Sequence, residues 1–522
     1  MQVPSRVELP RVRELSSIAA ENNPDRVAYG NGASGREVTW AEFDAESNRG
    51  ANALREHVGQ GDRIAYLTEA SVEQTILWNA GLKAGCIVSN LHIRDSPERV
   101  RSCLDSLRPR VLVVDEERSA FVEDHLYDEA STAFDAVVTT GEAQTEYEQP
   151  MSSFTAGYPA TEPDVKVDPD EIAAVMWTSG TTGEPKGWSH TNRGLVHRAM
   201  KLAHKKDTTR LTRVSNFFTP SFAAWYSTTL PTLLANGASY YVKQWSPEAY
   251  VELVEERSIT SSNLVPTMWR EVLRLDDLDD YDLSSLETVE SGGETLNTTT
   301  LEGLQEHVSP SVSQSYAATE VCGTYIDADE MRGERIDSVG KPLLGVQVRV
   351  VERGGSPDDV KDPGEVGEII VKSSDAAVWV WGDTEKTRQS FEDGWWYSGD
   401  LGYKDEAGYL FIEGRDDDMI LSKGIKVFPA PVEERLNEHP DVVESAVFGV
   451  KDDEYGERVT AAVQTPDEAL TAEDLDEWCL ESEKLSRFER PREYHFYAET
   501  LPRTASDKLD RAAIKERSIG GR

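Results

Sequence analysis

This sequence predicts an α/β fold divided into two domains. Helical and strand patterns alternate from about residue 38 onward, and such alternation is typical of α/β proteins. The 522 residues also exceed what one ordinary hydrophobic core organises, which indicates several structural units. A fresh α/β pattern begins after residue 415. We therefore expect a large N-terminal domain of several subdomains, residues 1–415, and a small α+β C-terminal domain, residues 416–522.

Hydrophobic periodicity predicts the individual elements. In chain order they are a helix over residues 40–58, a strand over 63–67, a helix over 72–84, a strand over 111–115, a polar surface linker over 141–169, a buried strand over 172–177, a second βα series to a turn at 292–293, and a strand-rich segment over 346–412. The glycine and proline turns between them support these bounds.

The chain is strongly acidic. Aspartate and glutamate number 95 against 54 lysines and arginines, which gives a formal net charge of −41. Such a surface repels nucleic-acid phosphates and anionic lipids, so neither is an expected partner. The acids recur as short clusters along the whole chain. This distribution favours a halophilic protein, whose carboxylates repel one another until salt screens them, over a merely acidic one.

Cysteine usage and the apolar segments predict a cytoplasmic protein. The four cysteines form no C-x-x-C pair, so they indicate neither a disulfide framework nor a zinc site. Residues 1–13 lack the apolar core of a signal peptide. The longest uncharged stretch, residues 214–242, contains prolines and asparagines, which indicates protein interior rather than a membrane helix. We expect no membrane insertion.

A loop rich in glycine and hydroxyl side chains follows the buried strand at residues 172–177. It consists of Thr178, Ser179, Gly180, Thr181, Thr182, Gly183, Glu184, Pro185, Lys186 and Gly187. Glycines let backbone N–H groups approach an anion, while hydroxyls and a lysine add donors and positive charge, which suits a polyphosphate. The loop is not a Walker A motif, because glycine follows Lys186 and the glycine spacing differs.

Four motifs lie downstream of this loop. They are Ser291-Gly292-Gly293-Glu294, Gln314-Ser315-Tyr316-Ala317-Ala318-Thr319-Glu320, Tyr397-Ser398-Gly399-Asp400 and Leu501-Pro502-Arg503-Thr504-Ala505-Ser506-Asp507-Lys508-Leu509. Together with the loop, they resemble in order and rough spacing the motifs of the adenylate-forming enzymes. That family comprises acyl-CoA synthetases, luciferases and peptide-synthetase adenylation domains. The resemblance extends over nearly the whole chain.

The resemblance implies an ATP site with Mg²⁺. The implied phosphate-binding residues are Thr178, Ser179, Gly180, Thr181, Thr182, Gly183 and Lys186. The implied adenine turn is Gly292, Gly293 and Glu294. By the same resemblance Tyr316 stacks near the adenine, Thr319 contacts phosphate and Glu320 holds the metal, with Thr319 and Glu320 counted as catalytic. Mg²⁺ on a triphosphate needs only one or two protein carboxylates, so a single glutamate is sufficient.

Ribose binding and catalysis are implied for residues nearer the C-terminus. Asp400 matches the aspartate that bridges the ribose hydroxyls, and a two-oxygen acceptor suits a vicinal diol. Arg415 would lie close to that ribose and the phosphate. Lys508 matches the catalytic lysine, which would bridge the acyl carboxylate and the α-phosphate and orient the in-line attack.

The family's small domain is mobile and rotates between half-reactions. Asp417, in the run of three acids at residues 416–418, matches the hinge. Ser422, Lys423 and Gly424 would then lie near the pantetheine of coenzyme A. Two positions depart from the family pattern, because Ala317 and Asp507 stand where glycine is usual. The methyl group of Ala317 should be tolerated, and aspartate accepts a positive φ better than most residues.

The segment that corresponds to the family's acyl pocket, residues 216–225, carries no charge. Burying an amino-acid ammonium there without a partner would cost several kcal/mol, so an apolar carboxylic acid is the expected substrate. Phe222 stands where many relatives have a histidine or another aromatic, and Trp225 would limit the depth of the pocket. Core packing explains both aromatics equally well. Short-chain, medium-chain and aromatic acids all stay open.

The resulting hypothesis is an AMP-forming acid–CoA ligase that uses ATP, Mg²⁺ and coenzyme A. Three alternatives stay open. The first is an adenylating enzyme that delivers the acyl group to a carrier protein in trans, and the second is a luciferase-like oxygenase. The third is a non-catalytic protein that binds nucleotide or acyl-CoA, although such a protein would not need all four of Lys186, Glu320, Asp400 and Lys508. The sequence predicts neither the oligomeric state nor the identity of the acid.

Overall fold

The fold is given by a computed structural model, which describes residues 9–32, 35–126, 134–179, 185–293, 296, 298–452, 454–466, 469–482, 485–504 and 509–520. The chain forms two compact units. Unit 1 comprises Met1–Ile336, Gly340–Gln347 and Val371–Trp396, and unit 2 comprises Asp337–Val339, Val348–Ile370 and Tyr397–Arg522. Unit 2 thus takes in residues upstream of the boundary expected after Arg415. That boundary stays a prediction.

The structure contains strands and helices throughout both units. The strands are β1 (Val27–Asn31), β2 (Glu37–Thr39), β3 (Arg63–Leu67), β4 (Ile87–Asn90), β5 (Val111–Val114), β6 (Ala136–Thr139), β7 (Glu148–Pro150), β8 (Ile172–Ser179), β9 (Pro185–Thr191), β10 (Arg213–Asn216), β11 (Ala238–Tyr241), β12 (Ser261–Leu264), β13 (Thr288–Gly292), β14 (Val312–Ala317), β15 (Cys322–Ile326), β16 (Ser338–Pro342), β17 (Gln347–Val351), β18 (Gly367–Lys372), β19 (Trp379–Val380), β20 (Phe391–Glu392), β21 (Trp395–Lys404), β22 (Leu410–Arg415), β23 (Ile420–Ser422), β24 (Ile425–Val427), β25 (Glu444–Asp452), β26 (Gly456–Gln464) and β27 (Glu493–Tyr497). The helices are α1 (Leu15–Asn22), α2 (Trp40–Leu54), α3 (Val72–Lys83), α4 (Pro97–Leu107), α5 (Ser119–His125), α6 (Met151–Phe154), α7 (Asn192–Lys205), α8 (Ala223–Ala235), α9 (Pro247–Arg257), α10 (Pro266–Leu273), α11 (Thr298–His307), α12 (Thr384–Ser390), α13 (Pro429–Asn437), α14 (Ala472–Leu480) and α15 (Arg511–Gly520).

Unit 1 is built around two largely parallel sheets. One has the strand order β19-β9-β8-β4-β3-β5-β6-β7, parallel from β8 to β7, with β9 and β19 antiparallel. The other contains the order β15-β14-β13-β12-β10-β11-β1-β2, parallel from β14 to β1 and antiparallel at β15 and β2. The carboxyl ends of parallel strands share one edge of a sheet, and ligands of α/β proteins bind there. The predicted site motifs follow β8, β10, β13 and β14 at such ends.

Local sequence explains where the long helices begin. Thr39 caps α2, because its hydroxyl accepts the Glu42 backbone N–H at 3.3 Å while the Glu42 carboxylate accepts the Thr39 backbone N–H at 2.8 Å. Ser71 caps α3 through the Gln74 backbone N–H at 3.0 Å. Each cap satisfies backbone donors that the first turn leaves without an intrahelical acceptor.

The main core of unit 1 is rich in large aromatic side chains. Trp40, Trp78, Trp225 and Tyr29 are fully buried in one cluster. Their rings meet mostly edge to face, as in the Trp78–Trp225 pair with centroids 5.2 Å apart and an interplanar angle of 80°. Such pairs add about 0.5–1.5 kcal/mol to the free energy gained by burying their area.

Unit 2 contains two groups of strands. The first has the order β17-β18-β21-β22. The second has the order β24-β23-β26-β25, with β27 parallel to β26, and its apolar residues form a separate core that includes Val432, Val447 and Val459.

The predicted α/β fold is confirmed. The predicted strand over residues 63–67 coincides with β3, and the helices over residues 40–58 and 72–84 correspond to α2 and α3. The linker predicted over residues 141–169 is wrong in part, because β7 pairs with β6 and α6 buries Met151 and Phe154. Met151 and Phe154 alone, within a polar stretch, give too weak a periodic signal to predict β7 and α6.

Candidate active site

The described residues on either side of the predicted phosphate loop, Thr178 and Lys186, lie at the paired ends of two antiparallel strands. β8 and β9 pair antiparallel, with Thr178 opposite Lys186 and Ser179 opposite Pro185. The Thr178 hydroxyl accepts a hydrogen bond from the Trp188 indole at 3.1 Å. Lys186 is half-buried beside this strand end. Of the predicted loop residues, Gly180, Thr181, Thr182, Gly183 and Glu184 lie outside the described residues, as does the side chain of Ser179.

Glycine at position 187 is required by packing behind the loop. A Cβ there would lie 2.8 Å from Val175 Cγ1 and 3.2 Å from the Trp177 ring. The Trp177 indole is itself held, since it donates to the Ser89 hydroxyl at 2.8 Å. β9, the strand that carries Lys186, therefore packs closely against β8.

Strand register brings the adenine turn beside the Tyr316 segment. β13 and β14 pair in parallel, with Ser291 opposite Gln314 and Gly292 opposite Ser315. Gly293 follows with φ of +91°, a conformation that glycine adopts without strain. The two motifs thus end at the same edge of the sheet, although they lie about 25 residues apart in sequence. Glu294, the last residue of the predicted turn, lies outside the described residues.

The Tyr316 ring rests on a glycine of the neighbouring strand. A Cβ at Gly323 would lie 3.0 Å from Tyr316 Cδ1, so glycine leaves space for the ring. Tyr316 is half-buried, whereas Ala317 is exposed. The methyl group of Ala317 is thus accommodated at an exposed position.

Thr319 and Glu320 lie in the tight turn between β14 and β15. The backbone of Ala318 donates to Val321 O at 2.8 Å, and the backbone of Val321 donates back to Ala318 O at 3.3 Å. The turn therefore has a closed backbone geometry, and both Thr319 and Glu320 are half-buried in it. Both residues thus lie in the turn that directly follows the carboxyl end of β14.

Phe222 immediately precedes α8 and contacts a histidine. Its ring and that of His92 meet edge to face with centroids 4.8 Å apart. His92 Nδ1 lies 3.1 Å from the Ser221 hydroxyl. Burial lowers the pKa of His92, and the nearby Arg94 and Arg99 guanidinium groups lower it further against the opposing effect of Asp95. A histidine that follows β4 by two residues thus lies against the segment over residues 216–225.

Trp225 belongs to the aromatic core of unit 1. Its side chain is fully buried between Trp78 and Tyr226, with ring centroids 5.2 and 5.0 Å away. This placement gives the core-packing interpretation of Trp225 direct support. A role of Trp225 at the end of an acyl pocket stays a prediction.

In unit 2, Asp400 and Arg415 occupy directly paired positions on β21 and β22. Arg415 Nη1 lies 3.2 Å from Asp400 Oδ1. The Asp400 backbone N–H donates to the Ser398 hydroxyl at 2.9 Å, which itself donates to Ile369 O at 2.6 Å. Between them Gly399 has φ of +71°, and a Cβ there would lie 3.3 Å from Arg415 Nη2. The motif Ser398-Gly399-Asp400 thus forms a bend that is stabilised by these hydrogen bonds and by the ion pair.

The run of three acids forms a short 3-10 helix, Asp416–Asp418. Asp416 pairs with Arg353 at 2.6 Å, and Asp418 lies 3.6 Å from Arg511. Burial raises the pKa of Asp418, against the opposing Arg511 and Arg415 guanidinium groups. Asp417 between them is exposed. Its predicted role as the hinge stays a prediction.

The residues predicted to lie near coenzyme A form a two-residue hairpin turn. Ser422 ends β23, and Lys423 and Gly424 both have positive φ, 49° and 81°, before β24 begins. The Lys423 ammonium lies 2.6 Å from Glu454 and 4.2 Å from the centre of the Tyr455 ring. Lys508, the predicted catalytic lysine, lies outside the described residues.

Sequence reasoning missed a group of buried charged residues behind the Thr319–Glu320 turn. Arg198 and Lys201 lie on the buried face of α7, and Asp375 follows β18. A signal was available in the sequence, because the helical spacing of α7 places these two cations among apolar residues such as Leu195 and Leu202. His92 was also missed, although it directly follows a buried strand.

Among the described residues, no group of three or more His, Cys, Asp or Glu side chains could hold a metal ion. Within the same residues, no helix has the length and apolar character to cross a bilayer. A cavity of about 280 Å³ lies elsewhere in unit 1, lined by Cys86, Ile172 and Trp381 among others, and none of its lining residues belongs to the predicted site.

Comparison with known proteins decides the family. A family model described as AMP-binding enzyme matches residues 17–378, and one described as AMP-binding enzyme C-terminal domain matches residues 431–508. The chain belongs to the AMP-binding enzyme family. The predicted adenylate-forming superfamily and enzyme class, an AMP-forming acyl-CoA synthetase, are thereby confirmed.

Relatives of this AMP-binding enzyme match it along almost its whole length. A fatty acid–[acyl-carrier-protein] ligase of Streptomyces coeruleorubidus is 28% identical over 98% of this chain and 97% of its own. An indoleacetate–CoA ligase of Aromatoleum aromaticum is 29% identical over 92% of this chain and 93% of its own. The crystal structure of ATP-bound MatB from Rhodopseudomonas palustris superposes with a TM-score of 0.86 at 26% identity, covering 97% and 99% of the two chains. The predicted large N-terminal and smaller C-terminal domains of mixed α/β structure are confirmed.

Proposed function

We propose that this AMP-binding enzyme is an acid–CoA ligase. In the first half-reaction the carboxylate of the acid attacks the α-phosphorus of ATP, forming acyl-AMP and releasing pyrophosphate. In the second, the thiol of coenzyme A attacks the acyl carbon and AMP leaves. The observation that carries the proposal is the parallel register of β13 and β14, which sets the Gly292–Gly293 turn beside the segment that ends in Thr319 and Glu320.

Nucleotide binding is assigned to two groups of residues. In unit 1, Thr178 and Lys186 at the hairpin end would bind phosphate, while Tyr316 would stack on the adenine. In unit 2, Asp400 would accept hydrogen bonds from the ribose hydroxyls, with its carboxylate oriented by Arg415 at 3.2 Å. The family's use of ATP and coenzyme A supports these roles.

Glu320 is the residue that would hold Mg²⁺. The ion, when bound, neutralises phosphate charge and lets the carboxylate approach the α-phosphorus. Thr319 would donate its hydroxyl to a phosphate oxygen from the same turn. Lys508 would lie between the acyl carboxylate and the α-phosphate, where its charge offsets the repulsion of two anions.

The acid is proposed to be apolar, either fatty or aromatic. The segment over residues 216–225 contains no charged side chain, and burial lowers the pKa of the neighbouring His92, which disfavours a charged group there. The segment itself offers an ammonium group no carboxylate to pair with, and burying an unpaired charge would cost several kcal/mol. A fatty-acid ligase and an indoleacetate ligase among the relatives fit an acid of this kind.

A carrier-protein thiol is the alternative acceptor, because one relative of nearly the same length is an acyl-carrier-protein ligase. Both acceptors present the same phosphopantetheine thiol, so the motifs of this chain suit either. A luciferase-like oxygenase would also form the adenylate, but it would consume O₂ and emit light. A protein that only binds nucleotide or acyl-CoA would release no AMP.

A single assay distinguishes these possibilities. AMP release is measured with ATP, Mg²⁺ and a panel of short, medium, long and aromatic acids, with coenzyme A, with a phosphopantetheinylated carrier protein, or with no acceptor. We expect AMP release that depends on both an apolar acid and coenzyme A. Release only with the carrier protein would identify the alternative acceptor, and no acid-dependent pyrophosphate exchange with any acid would overturn the ligase proposal.

A further inference from the structure

Three charged side chains form a buried network behind the Thr319–Glu320 turn. Arg198 and Asp375 are fully buried, and Lys201 is almost so. Arg198 Nε lies 3.3 Å from Asp375 Oδ2, and the Lys201 ammonium contacts Asp375 Oδ1 directly. Burial alone would raise the pKa of Asp375, but the Lys201 and Arg198 cations lower it to about 2.

The network holds the backbone of the turn from several sides. Arg198 donates to Thr319 O at 3.2 Å, and Lys201 donates to Cys322 O at 2.9 Å. Asp375 accepts the Cys322 backbone N–H at 3.2 Å. Glu320 O accepts the backbone N–H of Ala377 at 2.8 Å. Both cations and the carboxylate therefore contact the main chain on either side of Glu320, which leaves the Glu320 side chain oriented by a fixed backbone.

The segment that carries Asp375 also contacts the phosphate-loop hairpin. Two residues beyond Ala377, β19 pairs antiparallel with β9, with Trp379 opposite Ser189. The Trp381 backbone N–H donates to Gly187 O at 2.7 Å, next to Lys186. One stretch of chain, residues 373–381, thus bonds both to the strand that bears Lys186 and to the turn that bears Glu320. The spacing between these two motifs is set by this third segment.

Stability alone does not explain such a network. Buried ion pairs pay a large desolvation cost, and replacing them with apolar residues of similar volume is often neutral or stabilising. With two cations and one anion, this network also has an excess positive charge that a purely structural pair would not need. Burial lowers the pKa of Arg198, but Cys322, Asp375 and Glu320 together raise it above its ordinary value. The contacts of the network with the backbone of the turn therefore explain it better than a contribution to stability does.

We propose that Asp375, Arg198 and Lys201 are positioning residues that hold Glu320 and Thr319 in the geometry needed to bind a metal–nucleotide complex. They act through the backbone of the turn and do not touch the nucleotide themselves. This inference rests on the proposed function, because it assigns a metal–ATP complex to the turn. Residues of this kind, which orient a metal ligand, typically change metal affinity or activity by about 10–100-fold when they are replaced.

The test measures the affinity for Mn²⁺–ATP by water-proton relaxation in wild type and in variants at one salt concentration. Lys201→Met removes the charge and the donor to Cys322 O while keeping the length of the side chain. Lys201→Arg restores a cation. Lys205→Met is the matched control, since Lys205 lies on the same helix but pairs with Asp327 instead of the turn. Ser373→Ala is a milder variant, which removes only the hydroxyl that accepts from Lys201 at 3.1 Å and donates to Asp375 at 2.5 Å.

We expect Lys201→Met to weaken Mn²⁺–ATP binding by about 10-fold or more, Lys201→Arg to recover part of it, and Lys205→Met to match wild type. In pyrophosphate exchange, the KM for Mg²⁺–ATP should rise in Lys201→Met while the KM for the acid stays constant, a split that general loss of structure would not produce. Should Lys201→Met fail to fold, as judged by its thermal melt, the same comparison is made with Ser373→Ala, for which a smaller loss of affinity is expected.

Equal Mn²⁺–ATP affinity in wild type and in the folded variants would overturn the positioning role and leave the ligase proposal intact. Folded wild-type protein that binds no Mn²⁺–ATP would instead overturn the proposed function and this inference with it.

Discussion

Arg415 lies directly across the strand pair β21–β22 from Asp400, with Nη1 3.2 Å from Oδ1. The contact engages one carboxylate oxygen, and the Asp400 backbone is fixed by the Ser398 hydroxyl at 2.9 Å. Gly399, with φ of +71°, makes the bend that allows both contacts. The carboxylate that the sequence assigns to the ribose is therefore oriented before any nucleotide arrives.

The ribose assignment predicts a loss of sugar discrimination in Asp400→Ala. Hydrogen bonds to a charged group contribute about 1.5–3 kcal/mol each, so wild type should prefer ATP over 2′-deoxy-ATP by roughly tenfold or more in kcat/KM of pyrophosphate exchange. Asp400→Ala should raise the KM for ATP and use both nucleotides equally. Glu406→Ala, an exposed acid in the following turn, is the control. Preserved discrimination in Asp400→Ala would contradict the assignment.

Lys508→Ala should separate the two half-reactions. By its motif the lysine acts on the α-phosphate, so the variant should lose adenylate formation by about 10²- to 10³-fold while still forming thioester from supplied acyl-AMP. Lys451→Ala, which removes an exposed lysine of β25, should affect neither. An equal loss in both half-reactions would show that Lys508 is structural.

Asp417→Pro should have the opposite effect. Proline fixes φ near −65°, which removes the rotation that a hinge requires, so pyrophosphate exchange should continue while CoA-dependent turnover falls. Asp417→Ala keeps the backbone free and should retain turnover, because the exposed side chain is not itself required. If the proline variant turns over as wild type does, the hinge lies elsewhere.

The folded protein should lose stability in mild acid through His190. Burial and the Arg198 guanidinium lower the pKa of His190 from 6.5 to about 3, against the opposing Asp375 carboxylate. Between these pH values the unfolded chain binds a proton that the folded protein excludes, so the free energy of unfolding falls as the pH is lowered from 6.5 towards 3. The stabilisation due to neutral His190 is fully present above pH 6.5. Below that pH the free energy of unfolding decreases by about 1.4 kcal/mol per pH unit.

Denaturant unfolding of wild type, His190→Gln and His204→Gln between pH 7.5 and pH 4.5 measures this slope. His204 is an exposed histidine near the end of α7, the helix that follows the strand of His190, and serves as the control. The difference in the free energy of unfolding between wild type and His190→Gln should become smaller as the pH falls. The difference between wild type and His204→Gln should stay constant. If the free energies of unfolding of wild type and His190→Gln change with pH in the same way, the pKa of His190 is not lowered in the folded protein.

Stability and activity should both increase with salt. With a net charge of −41, neighbouring carboxylates repel one another over a Debye length of about 10 Å at 0.1 M salt and about 3 Å at 1 M. The midpoint of thermal unfolding and the ligase activity are measured at one pH across that range of KCl. A melting temperature that is constant or falls with KCl would remove the halophilic interpretation and leave the ligase proposal untouched.

Short-range sequence signals were sufficient for the α/β class, the bounds of β3 and the family motifs. Alternation of apolar residues reports which face of a strand or helix is buried, and this is decided within a few residues of chain. The motif around Asp400 and the run 416–418 were likewise visible, because each is contiguous. The same reasoning missed β7 and α6, where few apolar residues mark the burial.

The amino-acid sequence alone determined the α/β class, elements such as β3, α2 and α3, and the acidic character, and it proposed the residues that would bind ATP. The tertiary structure decided which distant residues support them. The side chains of Asp375 and Arg198 are hydrogen-bonded although they lie 177 residues apart in sequence. Those of His92 and Ser221 are hydrogen-bonded across a separation of 129 residues. Such contacts depend on strand order and register, which local periodicity does not encode, because a strand with the same pattern can pair with several neighbours. Buried charges behind the Thr319–Glu320 turn became interpretable only when the fold brought their partners together.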